Sequence, residues 1–574
     1  MRAITNTIVS DILIIGGGAG GCFSALRAKD FLDNILVISK GYLGPGTVSA
    51  TIGGGANICF PEDDQQAWME EMIERGEYLN DQEWVKIQLN EVYPLAMQLE
   101  KWGEEYGLKI FEKDENGKIL RRKARGNINT LTSVTNGFPM MEALRRKVLE
   151  REIRVMERVM VNNLVVEEGR VVGAFGFHCR SGEFYLFKAK AVVLAAGGCS
   201  FKVSLCSPAA ACTGEAQRMS YEAGAVLRNI DQAMSQSNPK GIEMHGMTLF
   251  ASVGGKFLNG QGEEFMLRYD PEVGSRARLT KLVVGMAKEV EAGRGPIYLD
   301  LTATSPQDQE MLRRVLPQPI KAFESANINP FMEKIPWTVI FFGTQTHGGG
   351  VHIDTRCASN VSGLYAAGDT SCAPEHGTWS ITGLNIAFAW LSGYRAGQFA
   401  SEYAQNLSEE KSLHEPNVDQ FIEAITAPIK RTKGIDPDQV TYKIQEVLFP
   451  YRVCYLRNEA RLSEALDRLE EIQEQILPQV RARNLHELVK AVEVQSMACI
   501  AEMILRSVLF RKESRGFVYR EDYPMTDNIK WLKWVMVKKE DDKMKVWAED
   551  FPTPYLEPPR EVYPPRCAGD FQTL

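Results

Sequence analysis

Histidine is scarce in this chain, and motifs that hold a redox metal are missing. There are seven histidines and eleven cysteines. No two cysteines form a CxxC pair, and the closest cluster, Cys199, Cys206 and Cys212, has spacings unlike those of zinc or iron-sulfur sites. The cysteines read as reduced, mostly buried thiols, and no metal site is expected. No apolar run approaches the ~18 to 20 residues of a membrane span. The opening MRAITNTIVSDILIIGGG lacks the charged, apolar, small-residue order of a secretory leader. The expectation is a cytoplasmic location, with any attachment to a membrane made through a partner.

A basic footprint is also lacking. The net charge is -8, and the short run Arg121, Arg122, Lys123 and Arg125 reads as solvated surface, which argues against nucleic acid as a ligand. Low complexity is absent too: 44% hydrophobic and 24% charged residues, with 48 glycines, belong to a folded globular protein. At 574 residues the chain exceeds one hydrophobic core, and about three or four domains are expected.

What is present begins with DILIIGGGAGGCFSALRAKDF. An apolar strand, Ile12 to Ile15, runs through Gly16-x-Gly18-x-x-Gly21 into a helix, the order of a dinucleotide-binding unit. Its glycines permit a tight turn and close approach of backbone to a pyrophosphate, and the helix N-terminus adds positive potential. The next strand, NILVISK, ends in Ser39 and Lys40 where an NAD site commonly has Asp or Glu, so strict NAD binding is disfavoured. AKAVVLAAGGCS and SGLYAAGDTS repeat the strand-to-glycine junction near 197 and 368. These junctions predict one nucleotide domain built from residues 1–234 and 351–403, with a capping domain inserted at 235–350. Residues 404–418 read as a polar linker. Leu462, Leu466, Leu469, Ile472 and Ile476, and then a segment from about Leu485 to Phe510, have helical spacing, giving a helical domain over 404–530. The proline- and aromatic-rich end, 531–574, is expected as an extended arm, wrapping a neighbour or packed on its own chain.

With these motifs in order, the chain resembles the flavoprotein subunits of succinate dehydrogenase and fumarate reductase, whose relatives include L-aspartate oxidase and the alpha chain of adenylylsulfate reductase. DILIIGGGAGG, TIGGGAN, AVVLAAGG, TGEAQRMSYEAGA, GGKFLNGQGEEFMLRYDPE, GPIYLDLT, SGLYAAGDTS, the EHG segment and RKESRGFVYREDYP carry the resemblance across most of the chain. It implies an α/β, Rossmann-like FAD domain, an inserted α+β cap, a C-terminal helical domain, and a substrate held between FAD and cap. It places FAD on Gly16, Gly18, Gly20 and Gly21, with Ser39 and Lys40 near the adenosine ribose and Thr51, Gly53 and Gly54 near the flavin. Ala196, Gly197, Gly368, Asp369, Leu384 and Asn385 complete the implied contacts. Many members attach FAD through a histidine just before the TIGG-like segment; Thr47 or a neighbour stands there in this chain, whose first histidine is His178. Dissociable FAD is therefore expected.

The same resemblance exposes departures. Dicarboxylate members clamp their substrate with two arginines and two histidines, because planar guanidinium groups bind carboxylates bidentately and stabilise developing charge. Here Asn238 stands for one histidine, with Lys240 two residues on. Gln345 stands for the other, with His347 two residues on. Ala251 falls where a proton-donating arginine belongs, and Ser380, beside Trp379, where the clamping arginine belongs. A simple succinate or fumarate enzyme is disfavoured. Arg276, which matches a family arginine, together with Lys240, His347, His376 and Trp379, makes up the candidate catalytic set; Arg278 fits a flavin-facing or a surface position, and His352 reads as structural. The resulting expectation is an FAD-dependent oxidoreductase subunit that exchanges electrons with a separate ferredoxin-like iron-sulfur protein. The alternatives are an adenylylsulfate-reductase-like enzyme, or an electron relay whose substrate pocket is vestigial.

Overall fold

A computed structural model describes residues 5–52, 55–123, 127–203, 211–242, 250–251, 254–346, 348–378, 381–407 and 418–565. Ile12, Leu13, Ile14 and Ile15 are apolar in succession, so this strand cannot turn a face to water; all four are buried. The strand Thr5–Ile15 lies at the centre of a seven-stranded sheet. It pairs in parallel with Ile35–Ser39, Ile12 opposite Ile35, and with Phe184–Leu194, Ile14 opposite Val193. The short strand Leu364–Ala366 joins Phe184–Leu194, again in parallel. The three glycine junctions therefore emerge side by side at the carboxyl ends of parallel strands, where an open α/β sheet forms its ligand crevice.

Helix Ala19–Ala28 packs against the long helix Leu384–Asn406 through small residues. A Cβ on Gly393 would lie 2.3 Å from the Gly20 carbonyl oxygen, and one on Gly397 2.3 Å from that of Ser24. The two backbones touch, which fixes Asn385 and Ala389 relative to the glycine turn.

Between the second and third junctions, Met234–Pro239 and Ile335–Gly343 form the first two strands of an antiparallel sheet completed by Ile297–Asp300 and Lys256–Leu258. Helix Leu279–Glu291 buries Leu282, Val283 and Met286 against it. This sheet is the cap. Toward the C-terminus, helices Pro437–Leu448, Glu459–Glu471 and Leu485–Phe510 pack together. Asn458 and Asn484 cap the latter two by accepting from the N–H groups of Arg461 and Glu487. Leu462, Leu466, Leu469 and Ile472 are buried, as their spacing requires.

The final segment differs from an extended arm. Trp534–Glu540 and Lys543–Glu549 form a hairpin that pairs with Leu227–Arg228. Its turn residues Asp541 and Asp542 have φ of 48° and 58°, the backbone that two-residue hairpin turns demand and that Asp tolerates. The following residues lie on their own chain, where the N–H groups of Tyr555 and Leu556 donate to Gln82 Oε1 at 2.8 and 3.0 Å. Among the described residues no helix is long and apolar enough to cross a membrane.

Candidate active site

One cavity of about 340 Å³ runs from the three strand ends to the cap. At its nucleotide end the backbone is fitted to glycine. Gly16 has φ of +128°, and a Cβ there would sit 2.0 Å from the Ala195 carbonyl oxygen. A Cβ on Gly21 would meet the Gly16 carbonyl oxygen at 1.9 Å, so Gly21 serves turn packing. Gly18 begins helix Ala19–Ala28, whose first turn carries no acidic side chain and no side-chain cap. That terminus opens on the cavity, with Ser49 Oγ accepting from the Ala19 N–H at 3.2 Å. Gly16, Gly18, Gly20, Ser39, Ala196, Gly197, Gly368, Asp369 and Asn385 all line the wall.

Lys40 also lines it, but its ammonium is committed. Nζ lies 3.0 Å from Glu215 and 2.9 Å from Glu493. Burial disfavours the charge, and the two carboxylates outweigh burial and raise the pKa. The lysine is a brace between the nucleotide sheet and helix Leu485–Phe510 rather than a free ribose contact. Asp369 accepts from Gln345 Nε2 at 2.5 Å, from the Thr346 N–H and from the Asn385 side chain. Asn385 Nδ2 donates in turn to the Thr346 carbonyl. Burial pushes the Asp369 carboxyl up to about 7 despite these donors.

The cap end of the cavity is lined by Met234, Gln236, Ser237 and Asn238 from one strand, Leu279 from the cap helix, Thr346, Ile381, Thr382 and Arg122. Several expected residues stand elsewhere. Lys240 and Arg276 are exposed and off the wall, because each sits at the outer end of its element. Arg278, two residues on, is half-buried at the start of helix Leu279–Glu291, in electrostatic contact with Arg75 and Glu77. Thr51 is exposed, its hydroxyl donating to the Val48 carbonyl at 2.9 Å. Leu384 is fully buried in the hydrophobic cluster with Trp68 and Ile381. His376 lies behind the wall, its Nε2 3.0 Å from Asn385 Oδ1, and burial pushes its pKa down to about 3, so the ring is neutral. His352 is half-buried beside Trp534, ring centroids 5.9 Å apart, in keeping with a structural role. Gly53, Gly54, His347, Trp379 and Ser380 lie outside the described residues.

Arg122 reverses the surface reading of its run. Arg121 and Arg122 form a short strand paired to Thr132–Ser133, and strand alternation sends them to opposite faces. Arg121 pairs with Asp63 and lies 4.3 Å from the Phe60 ring centroid, while Arg122 enters the cavity wall. Burial lowers its pKa to about 10, leaving the guanidinium charged at neutral pH. Its signal was the alternation itself, masked in the sequence by four basic residues within five positions.

Family models agree with this geometry. Residues 11–386 match the FAD binding domain, and residues 444–563 match the fumarate reductase flavoprotein C-terminal domain. The chain is an FAD-binding flavoprotein of the succinate dehydrogenase and fumarate reductase family. An uncharacterized FAD-dependent oxidoreductase of Methanocaldococcus jannaschii is 30% identical to this flavoprotein over 94% of its length and 97% of the relative's. One subunit of the CoM/CoB fumarate reductase of Methanothermobacter marburgensis is 28% identical over 92% and 97%. Among solved structures, a quinol fumarate reductase from E. coli superposes with a TM-score of 0.86 at 22% identity, covering 97% of this chain and 99% of that one. Adenylylsulfate reductase from Archaeoglobus fulgidus gives 0.78 at 22% identity, covering 96% and 97%. These structural likenesses concern the fold.

FAD fits the residues present. The glycine turn and a helix start without acidic side chains suit a pyrophosphate, and a buried acceptor on the wall, Gln345 Oε1, has no partner among the described residues. Thr47 lines the cavity, its hydroxyl donating 2.7 Å to the Gly44 carbonyl.

Proposed function

We propose that this flavoprotein holds dissociable FAD and acts as the substrate-converting subunit of an oxidoreductase that exchanges electrons with a separate iron-sulfur protein. Its substrate is a small molecule other than succinate or fumarate. The observation that carries the reading is the contrast along one cavity: a complete glycine-built nucleotide end meets a cap end where Asn238 and Gln345 replace the histidines of a dicarboxylate clamp. When bound, FAD supplies hydride transfer to or from the substrate carbon.

The protein's share follows from its own groups. Gly16, Gly18 and the helix start orient the pyrophosphate by backbone contact. Asp369, held by Gln345 and Asn385, fixes the wall between cofactor and cap. Met234, Leu279 and Ile381 exclude water from the cap end, which strengthens each polar contact made there. A cavity that reaches both cofactor turn and cap favours a working substrate site over a vestigial one. The absence of any CxxC pair from the chain supports an electron route through a partner.

The test is anaerobic purification of the native complex. Acid precipitation should release the flavin into the supernatant, and iron and acid-labile sulfide should accompany a second chain. The complex should oxidise reduced viologen with an enoate panel and not with fumarate. Flavin that stays in the pellet contradicts dissociable FAD. An iron-free preparation that turns over with a nicotinamide contradicts the partner.

A further inference from the structure

We infer that Glu375 is a proton-relay residue: with Arg228, Asn80 and Asp81 it holds an internal water cluster that carries protons between solvent and the Asp369 network on the cavity wall. The inference rests on the reading of this chain as a flavoprotein supplied with electrons by a separate protein. A hydride is two electrons and one proton. Electrons that arrive alone have to be joined by protons drawn from water, and the reverse reaction releases them. The cofactor site therefore needs a route for protons as well as one for electrons.

Three consecutive residues before helix Gln82–Tyr106 bring the group together. The Leu79 carbonyl accepts from the Trp534 indole at 3.0 Å, and Asn80 Nδ2 donates to the Glu375 carbonyl at 2.6 Å. The Asp81 N–H donates to the Pro374 carbonyl at 2.8 Å. Arg228 enters from strand Leu227–Arg228, its guanidinium 4.0 Å from the Trp534 ring centroid and its Nη1 3.8 Å from Asp81 Oδ2. Glu375 and Arg228 thus flank the same short segment.

What these side chains leave unsatisfied is complementary. Glu375 is 0% and Arg228 1% exposed. Among the described residues, both carboxyl oxygens of Glu375, Nε and Nη1 of Arg228, and Oδ1 of Asn80 have no hydrogen-bond partner. Buried donors and acceptors gathered in one place without bonding each other are costly unless water bridges them. Burial pushes the Glu375 carboxyl well above the usual carboxylate range, Asp369 and Asp81 raise it further, and Arg228 opposes them. His352 and Cys372 also face Arg228, and burial keeps both uncharged. The carboxyls are the groups there that exchange protons.

The cluster has two ends. The Asp81 side chain is 20% exposed and meets solvent. At the other end Glu375 adjoins His376, whose ring lies 3.0 Å from Asn385 Oδ1, and the Asn385 side chain donates to Asp369 on the wall.

The test reduces the FAD-loaded protein with reduced methyl viologen in weak buffer containing a pH indicator, and follows flavin and indicator absorbance together. In the parent, proton uptake should keep pace with flavin reduction. Glu375→Gln keeps the size of the side chain but cannot release a proton. It should leave FAD content unchanged and slow proton uptake about 100-fold, and Glu375→Asp should recover part of the rate. Infrared difference spectra give a readout independent of electron transfer: a protonated-carboxyl band missing from Glu375→Gln should shift when the parent is mixed with D2O. Unchanged proton uptake in Glu375→Gln, no recovery in Glu375→Asp, or the lack of an exchanging band each overturns the inference. Loss of FAD from Glu375→Gln assigns the residue to holding the wall and overturns it as well. A flavin that takes no electrons from reduced viologen is a failure of the electron-transfer reading, and the infrared exchange then decides the relay.

Discussion

The nucleotide end and the cap end of one cavity are built by different means. At the nucleotide end the cavity wall is backbone: Gly16 and Gly18, Gly197 and Gly368 stand at the ends of three parallel strands. At the cap end the wall is made of side chains, among them Asn238, Gln236, Arg122 and Leu279, presented by strands and a helix that would keep their shape with other residues in place. Backbone-built sites tolerate almost no substitution, whereas side-chain-built sites can be refitted without disturbing the fold. A cofactor framework can therefore persist while the substrate changes.

That comparison is broken most severely at Gly16. A side chain there would collide with the Ala195 backbone at 2.0 Å and hold an unfavourable φ of +128°. Gly16→Val should abolish FAD binding or soluble expression, read as flavin stoichiometry near zero.

The next largest effect is expected where the cap joins the helical part. Arg511 bonds Asp231 at 2.6 Å and Glu513 at 2.8 Å, and all three side chains are 0% exposed. Asp231 lies just before the first cap strand, so this cluster anchors the cap. Arg511→Met leaves the buried Asp231 without its cation, while Glu513 keeps Arg515, and should cost about 3 to 5 kcal/mol in denaturant unfolding. Lys40→Met breaks a similar but partly wet cluster; its side chain is 24% exposed, and Glu493 retains Lys202. A smaller loss of about 2 kcal/mol is expected there after allowance for solvent screening.

The pH response of His376 sharpens the comparison at the smallest scale. Its pKa is lowered from 6.5 to about 3 by burial. The unfolded chain therefore binds a proton that the folded chain refuses, and stability is lost as pH falls from about 6.5 toward 3. His376→Gln should match the parent near pH 7.5 and exceed it by about 2 kcal/mol at pH 5, measured by urea unfolding of the same holoprotein.

The glycine turn and the strand ends were legible in the sequence, because glycine spacing and apolar runs record backbone demands directly, whereas Thr51 and Leu384 stand off the cavity wall and Lys40 is taken up by Glu215 and Glu493. Gly16, Gly197 and Asp369 needed no tertiary knowledge to be found. The cap end was harder. Arg122 hid in a basic run whose two strand neighbours face opposite ways, Arg276 and Lys240 looked suitable but point to solvent, and the Asp369, Gln345 and Asn385 network spans three separate segments. The final hairpin was obscured by the prolines that follow it, although its alternation around Asp541 and Asp542 was present. Side-chain direction and long-range assembly depend on packing, and a short local pattern does not encode them.

The central claim is that an intact FAD framework serves a cap no longer fitted to dicarboxylates. Rapid mixing of anaerobically reduced, FAD-loaded protein with fumarate tests it most directly. The account predicts that the flavin stays reduced with fumarate and is reoxidised by another member of the enoate panel. Fast, saturable reoxidation by fumarate would contradict it.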